Sequence, residues 1–231
     1  MNQNPASPTA LGVRPSAQLA SALLTQAFVW MFAGLLLTAV VAYFVQGNPR
    51  LVQIASEWVF LLFIGQLALV VGITAAMKKI SAMVALLLFF VYAASIGVTI
   101  GLIVQLYTET SVVAAFFSAA SLFGAAAIYG AVTKRTLTGL GPTLFIGVIG
   151  LIVASIVNIF LDLGPLSLAI SVIGVVIFTA LTAYDVKRIT SGDYAAAAGS
   201  LEKAAVFSAL SLYLDFINIF LFLLRIFGSR N

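Results

Sequence analysis

The stretch AAVFSALSLYLDFINIFLFLLRI, residues 204–226, is apolar almost throughout and holds a single charge in its interior, Asp215, with Arg225 near its end. About 20 apolar residues in a helix rising about 1.5 Å each cross the hydrocarbon core of a bilayer. The stretch is long enough to do so, and Asp215 falls eleven residues from either end, roughly 16 Å in and close to mid-membrane. Six more apolar runs precede it, at 19–45, 57–76, 81–105, 112–132, 142–161 and 165–185. Gly47, Asn48 and Pro49 close the first, Lys78 and Lys79 the second, and Thr108 to Ser111 the third. Lys134 and Arg135 close the fourth, and Asp162, Gly164 and Pro165 make a tight turn after the fifth.

The composition agrees. Of the 231 residues 63% are hydrophobic and 8% charged, against about 25% charged in a soluble domain, and the mean hydropathy is +1.19. Seven spans consume nearly the whole length and leave no room for a soluble domain. The expected fold class is therefore an all-α integral membrane bundle of seven helices. Residues 1–18, with Pro5, Pro8, Pro15 and Arg14, read as a flexible cytoplasmic tail, and the first run lacks a convincing cleavage site. Residues 19–231 read as one transmembrane domain.

Charge patterning sets topology and removes function classes. The eleven Lys and Arg residues are singles and pairs beside apolar runs, not a basic stripe, which argues against a nucleic-acid partner. Alternating the loops puts Arg14, Lys78, Lys79, Lys134, Arg135, Lys187, Arg188 and Lys203 on one side, and among the interhelical loops only Arg50 on the other. The positive-inside rule then makes the amino terminus cytoplasmic and Arg230 an outside charge against the rule. The chain has no Cys and no His, so disulfides, iron–sulfur ligation, thiol catalysis and imidazole chemistry are excluded. No cofactor is implied. Gly97 with Gly101, and Ala126 with Gly130, are either spaced to let helices approach closely in lipid or present simply because Gly and Ala are common in such helices.

The chemistry gathers on carboxylates. An Asp at a helix centre costs about 2.5–3.5 kcal/mol to insert, so Asp215 should face protein or water and have a partner. Asp185, closing the sixth run in Thr182-Ala183-Tyr184-Asp185-Val186-Lys187-Arg188, is the candidate; the alternative is a helix-end carboxylate paired with Lys187 or Arg188. The count places Asp185 nearer the cytoplasmic face than Asp215. If the two approach, both cannot ionise cheaply in a low dielectric and one proton is shared. Protonated, the pair is a latch held by a hydrogen bond; doubly ionised, it repels itself and can accept a hard cation such as Ca²⁺, weakly. Ser211 and Asn218 share the Asp215 face at i−4 and i+3. Gln66 and Asn158, each inside an apolar run, could line the interior or make an interhelical hydrogen bond.

The segment from Ser208 through Tyr213-Leu214-Asp215-Phe216-Ile217-Asn218 to Phe220, continued by Leu223-Leu224-Arg225, closely resembles the carboxy-terminal signature of the Bax inhibitor-1 family, including its bacterial YccA-type members. The run from Val172-Ile173-Gly174 to Tyr184-Asp185 is similar to that family's sixth helix. The resemblance implies six helices around a central seventh, and a pH-sensitive calcium leak in which the aspartates at 185 and 215 form sensor and latch. It implies a basic partner at the cytoplasmic end of the second helix, where Lys78 or Lys79 stands. Gln66 occupies a position where some relatives carry an acid, so conduction is expected to be weaker, altered or absent. The expected protein is a monomer in a bacterial cytoplasmic membrane with Ca²⁺ and protons as its ions. An interaction protein modulating a membrane protease or a stress or cell-death response is the alternative. An enzyme is not expected: there is no mid-span Lys, and the surroundings of the aspartates do not match an intramembrane aspartic protease.

Overall fold

Hydroxyl and amide side chains mark where the first helices begin. Ser16 accepts the Leu19 amide (3.2 Å) at the start of α1 (Ala17–Gln46). Asn48 accepts the amides of Arg50 and Leu51 and is followed by Pro49, the first residue of α2 (Pro49–Glu57), where the missing N–H of proline costs nothing. Trp58 separates α2 from α3 (Val59–Ala75). Ser81 caps α4 (Ala82–Val104) and Thr108 caps α5 (Glu109–Val132). The remaining helices are α6 (Leu140–Leu161), α7 (Gly164–Ser191), α8 (Asp193–Ala198) and α9 (Leu201–Phe227). This computed structural model describes residues 16–137, 139–161 and 163–229. The tail through Pro15 with Arg14, the turn residue Asp162, and Arg230 lie outside the described residues.

Six helices, α1, α4, α5, α6, α7 and α9, are long and apolar enough to cross a membrane, and α2 with α3 makes a seventh candidate bent by 72°. The 17 residues of α3 rise roughly 25 Å, a little short of a core of about 30 Å. The protein is thus an all-helical, multi-pass membrane bundle. Its helices follow the apolar runs with three differences, of which the short α8, inside the expected loop between the last two runs, is one. Residues 50–56, expected as a loop, are helical because Asn48 and Pro49 start a helix there. The sixth span does not end at Asp185: Val186 to Ser191 contain no Gly or Pro, and α7 continues until Gly192, which takes φ 86°. Asp185 is an interior residue of α7.

Contacts divide the chain into two compact units: residues 1–106 with 188–213, and 107–187 with 214–231. In the first, α1 lies against α4 through glycines that leave no room for a side chain. A methyl group on Gly97 would meet Val41 and the Thr38 carbonyl oxygen, and one on Gly101 would meet Val45 and the Ala42 carbonyl oxygen, all at 3.0 Å or less. The fully buried Tyr213 of α9 fills the same unit. Its ring stands edge-on to Phe89 (5.5 Å) and Tyr92 (6.1 Å). Its hydroxyl meets Thr38 Oγ1 at 2.7 Å. Thr38 spends its one proton on the Ala93 carbonyl (2.9 Å), so Tyr213 is the donor.

In the second unit Phe216 of α9 packs edge-on between Phe116 and Phe123 of α5, each at 5.6 Å, and Phe222 covers Gly174 and meets Phe178 of α7. Gly130 of α5 abuts the backbone of Ala183 on α7. The Thr108 amide donates to the Ser229 carbonyl and the Ser229 amide to Ser111 Oγ, tying the end of the chain to the start of α5. Of the spans α9 is the most enclosed, with 72% of its apolar window buried against 6% for α6.

Candidate functional site

The second unit holds a pair of buried acids on two apolar helices. Asp185 on α7 is 6% exposed and Asp215 on α9 is 4% exposed, and the two carboxyl groups interact electrostatically. Thr182 precedes Asp185 by one turn of α7, on the same face. It is fully buried, donates to the Phe178 carbonyl (2.9 Å) and lies near enough to the Asp215 carboxyl group to act on its charge. Among the described residues, Asp215 Oδ2 and Thr179 Oγ1 are buried side-chain oxygens of this unit with no hydrogen-bond partner. Buried polar atoms left unsatisfied are few in folded proteins and mark places where water, an ion or a proton acts.

A threonine hydroxyl carries one proton and two lone pairs. While that proton lies on the Phe178 carbonyl, Thr182 has only lone pairs to offer a neighbouring acid, and so suits a protonated one. When Asp215 is ionised, the same hydroxyl can turn and donate to it, because the Phe178 carbonyl still has its helical partner. Thr182 therefore accommodates either state of the acid by rotating one bond. Among the described residues no group of three or more His, Cys, Asp or Glu is placed to hold a metal ion. A hard cation here would have two carboxylates and the threonine hydroxyls as oxygen donors, completed by water.

The other candidates are placed differently. Gln66 is buried on α3, and its amide nitrogen donates to the Ser95 carbonyl (2.9 Å) and to Thr99 Oγ1 (2.8 Å) on α4. Both amide protons are thus used to clamp two helices. Asn158, near the end of α6, accepts the Leu163 amide (3.3 Å) across the turn. Asn218 bonds back to the Leu214 carbonyl of its own helix (2.7 Å). Ser211 accepts from Tyr194 of α8 (2.8 Å), whose ring lies under the Arg188 guanidinium at 4.5 Å. Lys187 donates to the Thr133 carbonyl just past α5 (2.6 Å). Lys78 and Lys79 are exposed in the turn between α3 and α4, in the first unit. Thr182 and Thr179 were not singled out from the sequence, although Thr179, Thr182 and Asp185 recur every third residue along one side of α7.

The profile described as "Inhibitor of apoptosis-promoting Bax1" matches residues 20–231, nearly the whole chain. The chain belongs to the Bax inhibitor-1 family. Among similar proteins are the inner membrane protein YbhL of Escherichia coli, 42% identical over 225 residues, which cover 95% of this chain and 96% of that one. Uncharacterized proteins of Deinococcus radiodurans (41% identical; 90% of each chain) and Borreliella burgdorferi (40%; 90% and 92%) match as well. The resemblance first carried by the residues around Asp215 thus extends over both units. In this Bax inhibitor-1 family chain the amide at position 66 is a structural clamp, and the acidic groups of the site are Asp185 and Asp215.

Proposed function

We propose that this Bax inhibitor-1 family protein is a pH-sensitive calcium leak, with Asp185 and Asp215 as a proton-controlled gate. The observation that supports this reading is the pair of interacting carboxyl groups buried on α7 and α9, one of them keeping an oxygen without a partner. Two carboxyl groups in such surroundings share one proton, and the hydrogen bond it makes holds the helices together. Loss of the proton leaves two like charges that repel, and opens oxygen ligands suited to Ca²⁺. Flux should therefore rise as pH rises. The protein acts as a monomer in the bacterial inner membrane with its amino terminus in the cytoplasm, a placement supported by the one-sided Lys and Arg residues and by similarity to YbhL.

Purified protein in liposomes loaded with a calcium-sensitive dye tests the gate by its flux across about pH 6 to 8. Asp215→Asn should give low flux with a flat pH profile, because the amide donates to Asp185 at every pH as the shared proton does. Asp185→Asn should do the same in the opposite direction of donation. A pH profile unchanged in both variants would remove the gate.

A further inference from the structure

We propose that α2 is an interfacial helix, lying in the plane of the membrane surface at the boundary between headgroups and acyl chains and setting the depth of α3. This goes beyond the leak reading and does not depend on it. In α2 and its following residue, Leu51, Ile54, Ala55 and Trp58 fall at i, i+3, i+4 and i+7 and form one apolar face, while Arg50, Gln53 and Glu57 form the opposite, polar one. The apolar face is not covered by protein: Leu51, Ile54 and Trp58 are 42%, 47% and 61% exposed, and α2 contains no buried residue. On the polar face Gln53 donates to Glu57 (3.1 Å), a pairing between water-facing groups.

Three observations identify the lipid boundary as what covers that face. The ends of the spans that flank α2 in the chain are also apolar and exposed, at Tyr43 and Phe44 of α1 and Phe60 and Leu61 of α3. The chain turns by 72° between α2 and α3, so a membrane-crossing α3 leaves α2 steeply inclined to the bilayer normal. The turn itself is made at Trp58, and tryptophan is the residue that settles at headgroup level. A short helix with one charged and one apolar face binds in this way through its apolar area. α3 is otherwise thinly held, burying only Gln66 and Ile73, so a lipid anchor at its start gives it a fixed depth.

The chain has two tryptophans and no cysteine, which makes the test direct. In full-length Trp30→Phe protein in liposomes, Trp58 is the sole indole. Bromines near the headgroup end of the acyl chains should quench it more than bromines near the bilayer centre. Stronger quenching from the centre would make α2 part of a span, and quenching only by an aqueous agent such as acrylamide would make it a water-exposed or partner-binding helix; either result overturns the proposal. Should Trp30→Phe fail to fold, single cysteines decide: a membrane-impermeant maleimide should modify Leu51→Cys several-fold more slowly than Gln53→Cys, and equal rates overturn the proposal.

Discussion

Gly130→Ala is the substitution most directly fixed by the geometry. An added methyl group would fall well inside 3.0 Å of the Ala183 carbonyl oxygen and lie 3.0 Å from that residue's carbonyl carbon and Cα. All three are backbone atoms, so no side-chain rotation relieves the clash, and α5 must move away from α7. Forcing a methyl group into a filled contact costs about 1–3 kcal/mol, set against a gain of up to about 1 kcal/mol from replacing glycine inside a helix. Gly124, on the same helix, has nothing within 4 Å of the same added atom and supplies the control. Gly124→Ala receives the helix gain without the clash, so that term cancels between the two variants. The difference is about 1–3 kcal/mol, or about 5- to 150-fold in the unfolding equilibrium. Reversible unfolding by sodium dodecyl sulfate in mixed micelles, followed by far-ultraviolet circular dichroism, measures it. A Gly130→Ala protein as stable as Gly124→Ala would show that the helices do not meet there.

Gln66→Leu should lower stability in the same assay by about 0.6–2 kcal/mol, the range for interhelical hydrogen bonds in membranes, and an unchanged midpoint would remove the clamp between α3 and α4. Tyr213→Phe deletes the donor to Thr38 but leaves Thr38 bonded to Ala93, so the loss should sit near the lower end of about 0.5–1.5 kcal/mol. A larger loss would mean that the hydroxyl does more than this one bond. Lys187→Met withdraws the ammonium from the Thr133 carbonyl; with Lys187 half-buried, a loss of about 1 kcal/mol is expected, and no loss would make that contact incidental.

The bundle could be read from the sequence because apolar length is nearly sufficient to specify a span, and glycine spacing pointed to real contacts: Gly97, Gly101 and Gly130 each meet the backbone of another helix. The position of Asp185 was harder. The apolar run stops there, but a helix stops where the backbone does, at Gly192, and charged residues such as Lys187 and Arg188 continue it. The same gap between hydropathy and helix hid α2, whose mixed face looks like a loop until Asn48 and Pro49 are recognised as a start. For Gln66 the sequence left two roles open, and only the positions of Ser95 and Thr99 decide that both its protons are spent. Thr182 escaped notice because threonine is common in such helices and nothing in its spacing tells which helix it faces.

In lipid, burying apolar side chains gives helices little reason to associate, so packing and polar groups decide what faces inward. α9 shows the division of labour this imposes. Tyr213 and Ser211 each bond to another helix, and such groups hold the helix where it is. Asp215 differs, since one of its oxygens is buried without a partner. An acid whose sole task was to fasten two helices would be better served with both oxygens bonded, because each unmet oxygen subtracts from the stability the other provides. The gate proposed above accounts for the unmet oxygen, because it gives the site a second state in which a proton has left or a cation has arrived, with the Thr182 hydroxyl near enough to turn with it.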